Sequence, residues 1–139
     1  MVQKFYDDLF IKLKEYVLSN TKLNPYIFKE IPNDKLFPLI VIKELSRENE
    51  YTTLKYTDEK IDFSLEVNIY AMQDNNIASV TICKELSDIV ENFFKTVYRM
   101  KVKITPNAPN VDSDVHRTLI DVSCVLDTKF KDYLVIYPK

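Results

Sequence analysis

The chain has 139 residues, 46% of them hydrophobic and 29% charged, the size and balance of one soluble globular domain that needs neither disulfide nor metal to stay folded. Its 19 Lys and Arg against 21 Asp and Glu leave a net charge of −2, which argues against a dedicated binder of nucleic acid or of an anionic membrane surface. Glycine is missing altogether. That excludes the phosphate loops G-x-x-x-x-G-K-[ST] and G-x-G-x-x-G, the G-x-S-x-G nucleophile elbow and the usual EF-hand loop, all of which bend at a residue without a Cβ.

In chain order, the spacing of apolar residues predicts a helix from Val2 to Leu18. Val2, Phe5, Tyr6, Leu9, Phe10, Leu13, Tyr16 and Val17 form its stripe, while Ile11 and Leu18 sit together on the polar side, two turns apart. Tyr26 to Glu30 reads as a short strand, Pro32 to Asp34 as a turn, and Pro38 to Ser46 as a strand buried from Leu39 to Ile42. The polar stretch from Arg47 to Lys60, dotted with Tyr51, Thr52, Thr53, Leu54 and Tyr56, is the outer part of a long β-hairpin. Its return strand runs from Ile61 to Ala71. There Ile61, Phe63, Leu65, Val67, Ile69 and Ala71 alternate with a wet face of Asp62, Ser64, Glu66, Asn68 and Tyr70.

Asp74, Asn75 and Asn76 are N-cap candidates for a second helix reaching about Tyr98, with a stripe from Ala78 through Ile82, Leu86, Ile89, Val90, Phe93 and Phe94 to Val97. Met100 to Ile104 is a strand, Thr105 to Asp114 a loop stiffened by Pro106 and Pro109, Val115 to Asp127 a strand, and Asp132 to Tyr137 a short last strand. This order predicts a single α+β domain over residues 1–139: a mainly antiparallel sheet with a long hairpin, and two amphipathic helices packed on one face.

Residues that could carry chemistry are few. His116 is the single histidine and Cys83 and Cys124 the only cysteines, on apolar faces and without ligand spacing, so no metal site is expected. Ser113, His116 and Asp121 can be assembled as a triad only on paper, and Asp112 with Asp114 reads as turn and cap. No catalytic residue, cofactor or metal is therefore assigned. Charges run through Met1 to Ser19 and no apolar run reaches the ~20 residues of a membrane span, so the expectation is a reduced cytoplasmic protein with no membrane partner. What remains is contact surface: Ile11 with Leu18, and the arm carrying Tyr51, Thr53, Leu54 and Tyr56.

The whole pattern resembles the tail terminator, or tail completion, proteins of long-tailed bacteriophages, prophages and phage-tail-like bacteriocins. An N-terminal amphipathic helix leads into the proline-started strand FPLIVIKEL. A polar hairpin returns as IDFSLEVNIYA, the helix IASVTICKELSDIVENFF follows, and PNAPNVDSDVHRTLIDVSCVLD runs from a Pro/Asn/Asp loop into a strand. The likeness lies in an order of elements over nearly the whole chain, and neighbouring neck and head-closure proteins share it. It implies an α+β subunit of a homo-oligomeric ring, commonly a hexamer, that caps the tail tube, stops its growth and offers a surface to the head connector. The implied partners are further copies of the chain, the tail tube protein, the connector or neck protein and a sheath protein. The genome passes through the lumen without specific binding, and the location is the virion, after assembly in the host cytoplasm. The resemblance brings no catalytic residues. A ring needs two different surfaces of one subunit to meet, and Ile11 with Leu18 against the Tyr51 to Tyr56 arm is the expected pair.

Overall fold

The computed structural model describes residues 2–34, 36–52, 59–74, 76–110, 112, 114–127 and 135–138. Among them the order is α1 (Val2–Asn20), β1 (Tyr26–Phe28), β2 (Leu39–Thr52), β3 (Glu59–Ala71), α2 (Ser79–Thr96), β4 (Lys101–Thr105), β5 (His116–Asp127) and β6 (Val135–Pro138). The strands form one sheet in the order β1-β2-β3-β5-β4. β6 pairs with β5 at Cys124 to Asp127, just beyond the stretch Leu119 to Ser123 that β4 occupies, so the two share one edge of β5. Every pairing is antiparallel except that of β1 with β2, which is parallel. The predicted α+β class and long hairpin therefore hold.

Period-2 alternation divides the sheet into two faces. Ile40 and Ile42 of β2, Phe63 to Ala71 at odd positions of β3, and Ile120, Val122, Cys124 and Leu126 of β5 form the inner face. Tyr6, Leu9, Leu13 and Val17 of α1 and Ile82, Leu86, Val90, Phe93 and Phe94 of α2 close over it in one core. Helical spacing gives each helix one apolar stripe, and both stripes are buried against this same face. Aromatic pairs lock the layers, Phe5 edge-on to Phe63 at 5.5 Å and Tyr16 tilted against Phe93 at 5.3 Å between ring centroids. Asn92 Nδ2 donates to the Tyr16 hydroxyl, and the Thr21 hydroxyl donates to Glu85 Oε2 at 2.7 Å, across the helix–helix seam.

Several expectations need correcting. α2 starts at Ser79, later than the candidate caps imply; its N-cap is Ala78, with no side-chain cap. Asp74 instead exchanges backbone hydrogen bonds with Ile77, an isolated bridge that holds this segment out of the helix, and Asn75 lies outside the described residues. Ala78 and Val97 are exposed rather than part of the buried stripe, because the helix does not extend over them. The first strand ends at Phe28 instead of Glu30. The last is Val135–Pro138, with Asp132 outside the described residues. Asn68, expected on a wet face, is only 7% exposed.

A chain without glycine must place other residues at left-handed backbone positions. Asn24 (φ 52°), Asn76 (φ 67°) and Arg99 (φ 54°) take them, after α1, in the bridge before α2 and after α2. Asn tolerates this conformation because its short side chain bonds locally; for Arg it is a strained choice.

Candidate functional site

α1 presents the first surface. Its stripe faces the core, so helical spacing puts Ile11 and Leu18 at the outward apex, where they are 53% and 42% exposed, as the sequence predicts. Exposed Lys14 lies between them, three residues after one and four before the other. Asp7, on the same side, is held by Lys29 Nζ at 2.6 Å. Exposed Glu15 also lies between them, four residues after Ile11 and three before Leu18, and lines the groove between α1 and α2 with Lys12, Tyr16, Phe93 and Val97. The ridge is thus apolar, with one charge of each sign between its two side chains. Of the predicted arm, Tyr51 lies on β2 opposite Lys60, while Thr53, Leu54 and Tyr56 lie outside the described residues.

The second surface is on the outer face of the sheet. Arg117 projects there from β5 and reaches three acceptors: its Nε donates to Asn68 Oδ1 at 2.8 Å, one Nη to the Pro109 carbonyl at 2.9 Å, and the other to Glu66 Oε1 at 3.4 Å. This explains the buried Asn68, whose amide oxygen is satisfied by the guanidinium. The backbone N–H of Ala108 donates to the Arg117 carbonyl, pinning the Pro/Asn/Asp loop along β5. Beside this loop a hollow of about 310 Å³ opens between it and the segment joining β1 to β2. Ile31, Phe37, Leu39, Tyr70 and Val115 make it apolar, and Asp34 and Asp112 line it with carboxylates. The sequence reading missed this hollow. Its walls come from two loops about eighty residues apart, brought together by the β2–β3–β5 pairing. The available signal was Ile31 and Phe37, apolar residues on either side of the turn at Pro32 to Asp34.

The chemistry candidates do not assemble. Cys83 and Cys124 are free and buried. Burial pushes the Cys83 thiol up to about 11, against a smaller opposing pull from a hydrogen bond with Thr118. A thiol held protonated in this way is inert. His116 and Asp121 are five residues apart on one strand and so point to opposite faces, which breaks the paper triad; Ser113 lies outside the described residues. The His116 Nε2 bonds the Pro106 carbonyl at 2.8 Å, and since a carbonyl only accepts, that nitrogen carries the proton. Asp112 Oδ1 accepts from the Asp114 N–H at 2.9 Å, an Asx turn, as expected of turn residues. Among the described residues no group of three or more His, Cys, Asp or Glu could hold a metal ion. A second cleft of about 380 Å³ lies between α2 and the β4–β5 loop, lined by Lys84, Ser87, Asp88, His116 and Thr118. Among the described residues no helix is long and apolar enough to cross a membrane.

Compared with models of known protein families, the chain matches none, and a comparison with curated proteins also finds no match.

Proposed function

We propose that this chain is a structural virion protein, a tail terminator whose copies form a ring on the end of a tail tube. The observation that carries the reading is the α1 ridge: Ile11 and Leu18 face outward from a helix whose every other large apolar side chain described turns toward the core. Apolar side chains stacked two turns apart on a helix face suit a repeated subunit contact. The order of elements, from amphipathic helix through long hairpin to the Pro/Asn/Asp loop and last strands, supports placing that contact in a terminator ring.

The proposed mechanism needs no reacting group. One face of the ring matches the last layer of tube protein and removes the site for the next subunit. The other face offers a different surface to the connector. Each subunit contact is weak, but several engaged together hold the cap in place through effective concentration. Near-neutral charge suits a lumen through which DNA passes, since a strongly basic wall would retain it.

Deleting the gene from its phage or prophage tests the reading. The expected result is normal heads, unjoined tails, and tails that are overlong or irregular. Tails of correct, uniform length that merely fail to join heads would replace this reading with a head-side neck role.

A further inference from the structure

We propose that β4 is a docking edge. An extended segment of a partner protein, with acidic side chains at alternate positions, adds to it as a further strand and sends a side chain into the cleft beneath α2. The inference goes beyond the ring reading and holds or fails without it.

The backbone selects an extended occupant. β4 ends the strand order on its side of the sheet and pairs with β5 alone. Its outward row of N–H and C=O groups has no partner among the described residues. Only another extended chain can satisfy such a row. The long β2 edge is broken by two register shifts, whereas Lys101 to Thr105 run against Leu119 to Ser123 with no shift and no proline.

The cleft supplies a pocket for a side chain of that strand. The β4–β5 register puts Val102 and Ile104 on the inner face with Val122 and Ile120, and Ile104 forms a wall of the cleft. Above it α2 turns Val80, Lys84, Ser87 and Asp88 to one side of the helix. Ser87 lines the cleft and is only 5% exposed, yet its hydroxyl has no hydrogen-bond partner among the described residues. Burying a hydroxyl in this way costs free energy that a hydroxyl or amide entering the cleft recovers.

Charge narrows the choice further. Lys101 and Lys103 lie on the outer face, exposed and without an ion pair among the described residues. Asp121 stands opposite Lys103 on β5 and Ser123 opposite Lys101, so this edge keeps a positive charge in excess. Lys139, after β6, lies outside the described residues. At the cleft, Lys84 and Asp88 are one of each sign. An added strand thus meets net positive charge on its outer-face side chains and no net charge on its inner-face ones. That favours acidic residues on the first and uncharged polar ones on the second. Lysines on an edge otherwise discourage pairing, so a strand that neutralises them is the one admitted. The β4 of a second copy would set lysine against lysine, which excludes that strand as the occupant.

The test uses the full-length chain labelled with nitrogen-15 and a short blocked peptide that alternates glutamate with threonine. Amide signals of Lys101 to Thr105 should shift most and saturate, and their hydrogen exchange should slow. The same peptide with lysine in place of glutamate should bind roughly tenfold or more weakly, and Lys103→Glu should reverse that preference. Ser87→Ala should unfold at the wild-type temperature, since it breaks no hydrogen bond. It should bind the threonine peptide about fivefold more weakly, and a valine version as the wild type does. No saturable shift at β4 with millimolar peptide would overturn the proposal, as would equal binding of the glutamate and lysine peptides. Shifts at β4 that grow with the chain's own concentration, without peptide, would give this edge to a second copy and overturn it as well. None of these results bears on tail length, so the terminator reading stands or falls separately on the gene deletion.

Discussion

The two halves of the β2–β3 hairpin are paired differently. In the near half, Leu39 to Ile42 pair without a break to Val67 to Tyr70, between β1 on one side and β5 on the other and beneath both helices. In the far half, β2 shifts register twice, between Glu44 and Ser46 and between Asn49 and Tyr51. There, among the described residues, β2 has β3 on one side only. A one-residue slip in the near half would turn Ile40 and Ile42 away from the core, so burial pins the register. Beyond Ile42 no residue of β2 belongs to the described core, and bulges on an edge strand discourage stray pairing with other chains. The register of β2 is therefore fixed close to the helices, while on β3 the core extends into the far half through Leu65 and Phe63.

The comparison can be broken most severely in its buried half. Ile69→Ala, at a fully buried β3 position opposite Ile40, should cost about 2–5 kcal/mol, read from the urea midpoint. Shortening the far half, by replacing Glu50 to Lys60 with an Asn-Gly turn between the paired residues Asn49 and Ile61, should cost under ~1 kcal/mol and keep unfolding cooperative. A large loss there would mean that the outer hairpin helps hold the core.

On the outer face, Arg117→Ala leaves Asn68 buried without its donor and Glu66 without its cation, an expected loss of about 1–3 kcal/mol. Arg117→Lys should recover only part of it, since an ammonium cannot reach three acceptors in a planar fork. On the inner face, the effect is set by pH. The Cys83 thiol titrates near 9.0 when unfolded and at about 11 when folded, so the native state holds its proton longer. Its contribution is full below pH 9 and is lost as pH rises through 11, a change on the order of 2 kcal/mol. Tyr98, raised by burial and then by Asp8, acts in the same direction. Denaturant midpoints between pH 8 and 11 should fall more steeply for the wild type than for Cys83→Ala. The smallest expected effect is a gain: Arg99→Gly relieves a left-handed arginine and should raise stability by ~0.5–1 kcal/mol.

Legibility in the sequence followed the same division. The alternation from Ile61 to Ala71 and the stripes of both helices were readable because each segment reports its own burial at its own period. Ile11 and Leu18 were readable as outward because they violate the stripe. Asn68 was not, since its burial depends on an arginine 49 positions away. The late start of α2 was hidden because Asp74 uses its backbone with Ile77 and caps nothing, although its side chain is a good N-cap type. The hollow was invisible for the reason that long-range sites usually are: neither loop contains it alone.

The central claim is that the chain acts by capping a polymer rather than by transforming a substrate. The most direct measurement adds the purified protein to tail tube protein while tubes are elongating, and follows tube length by electron microscopy. The account predicts that growth stops with a ring of this protein on the tube end, and that the Leu18→Glu variant does not stop it. Tubes that keep lengthening at the same rate, with no density of this protein at their ends, would contradict it.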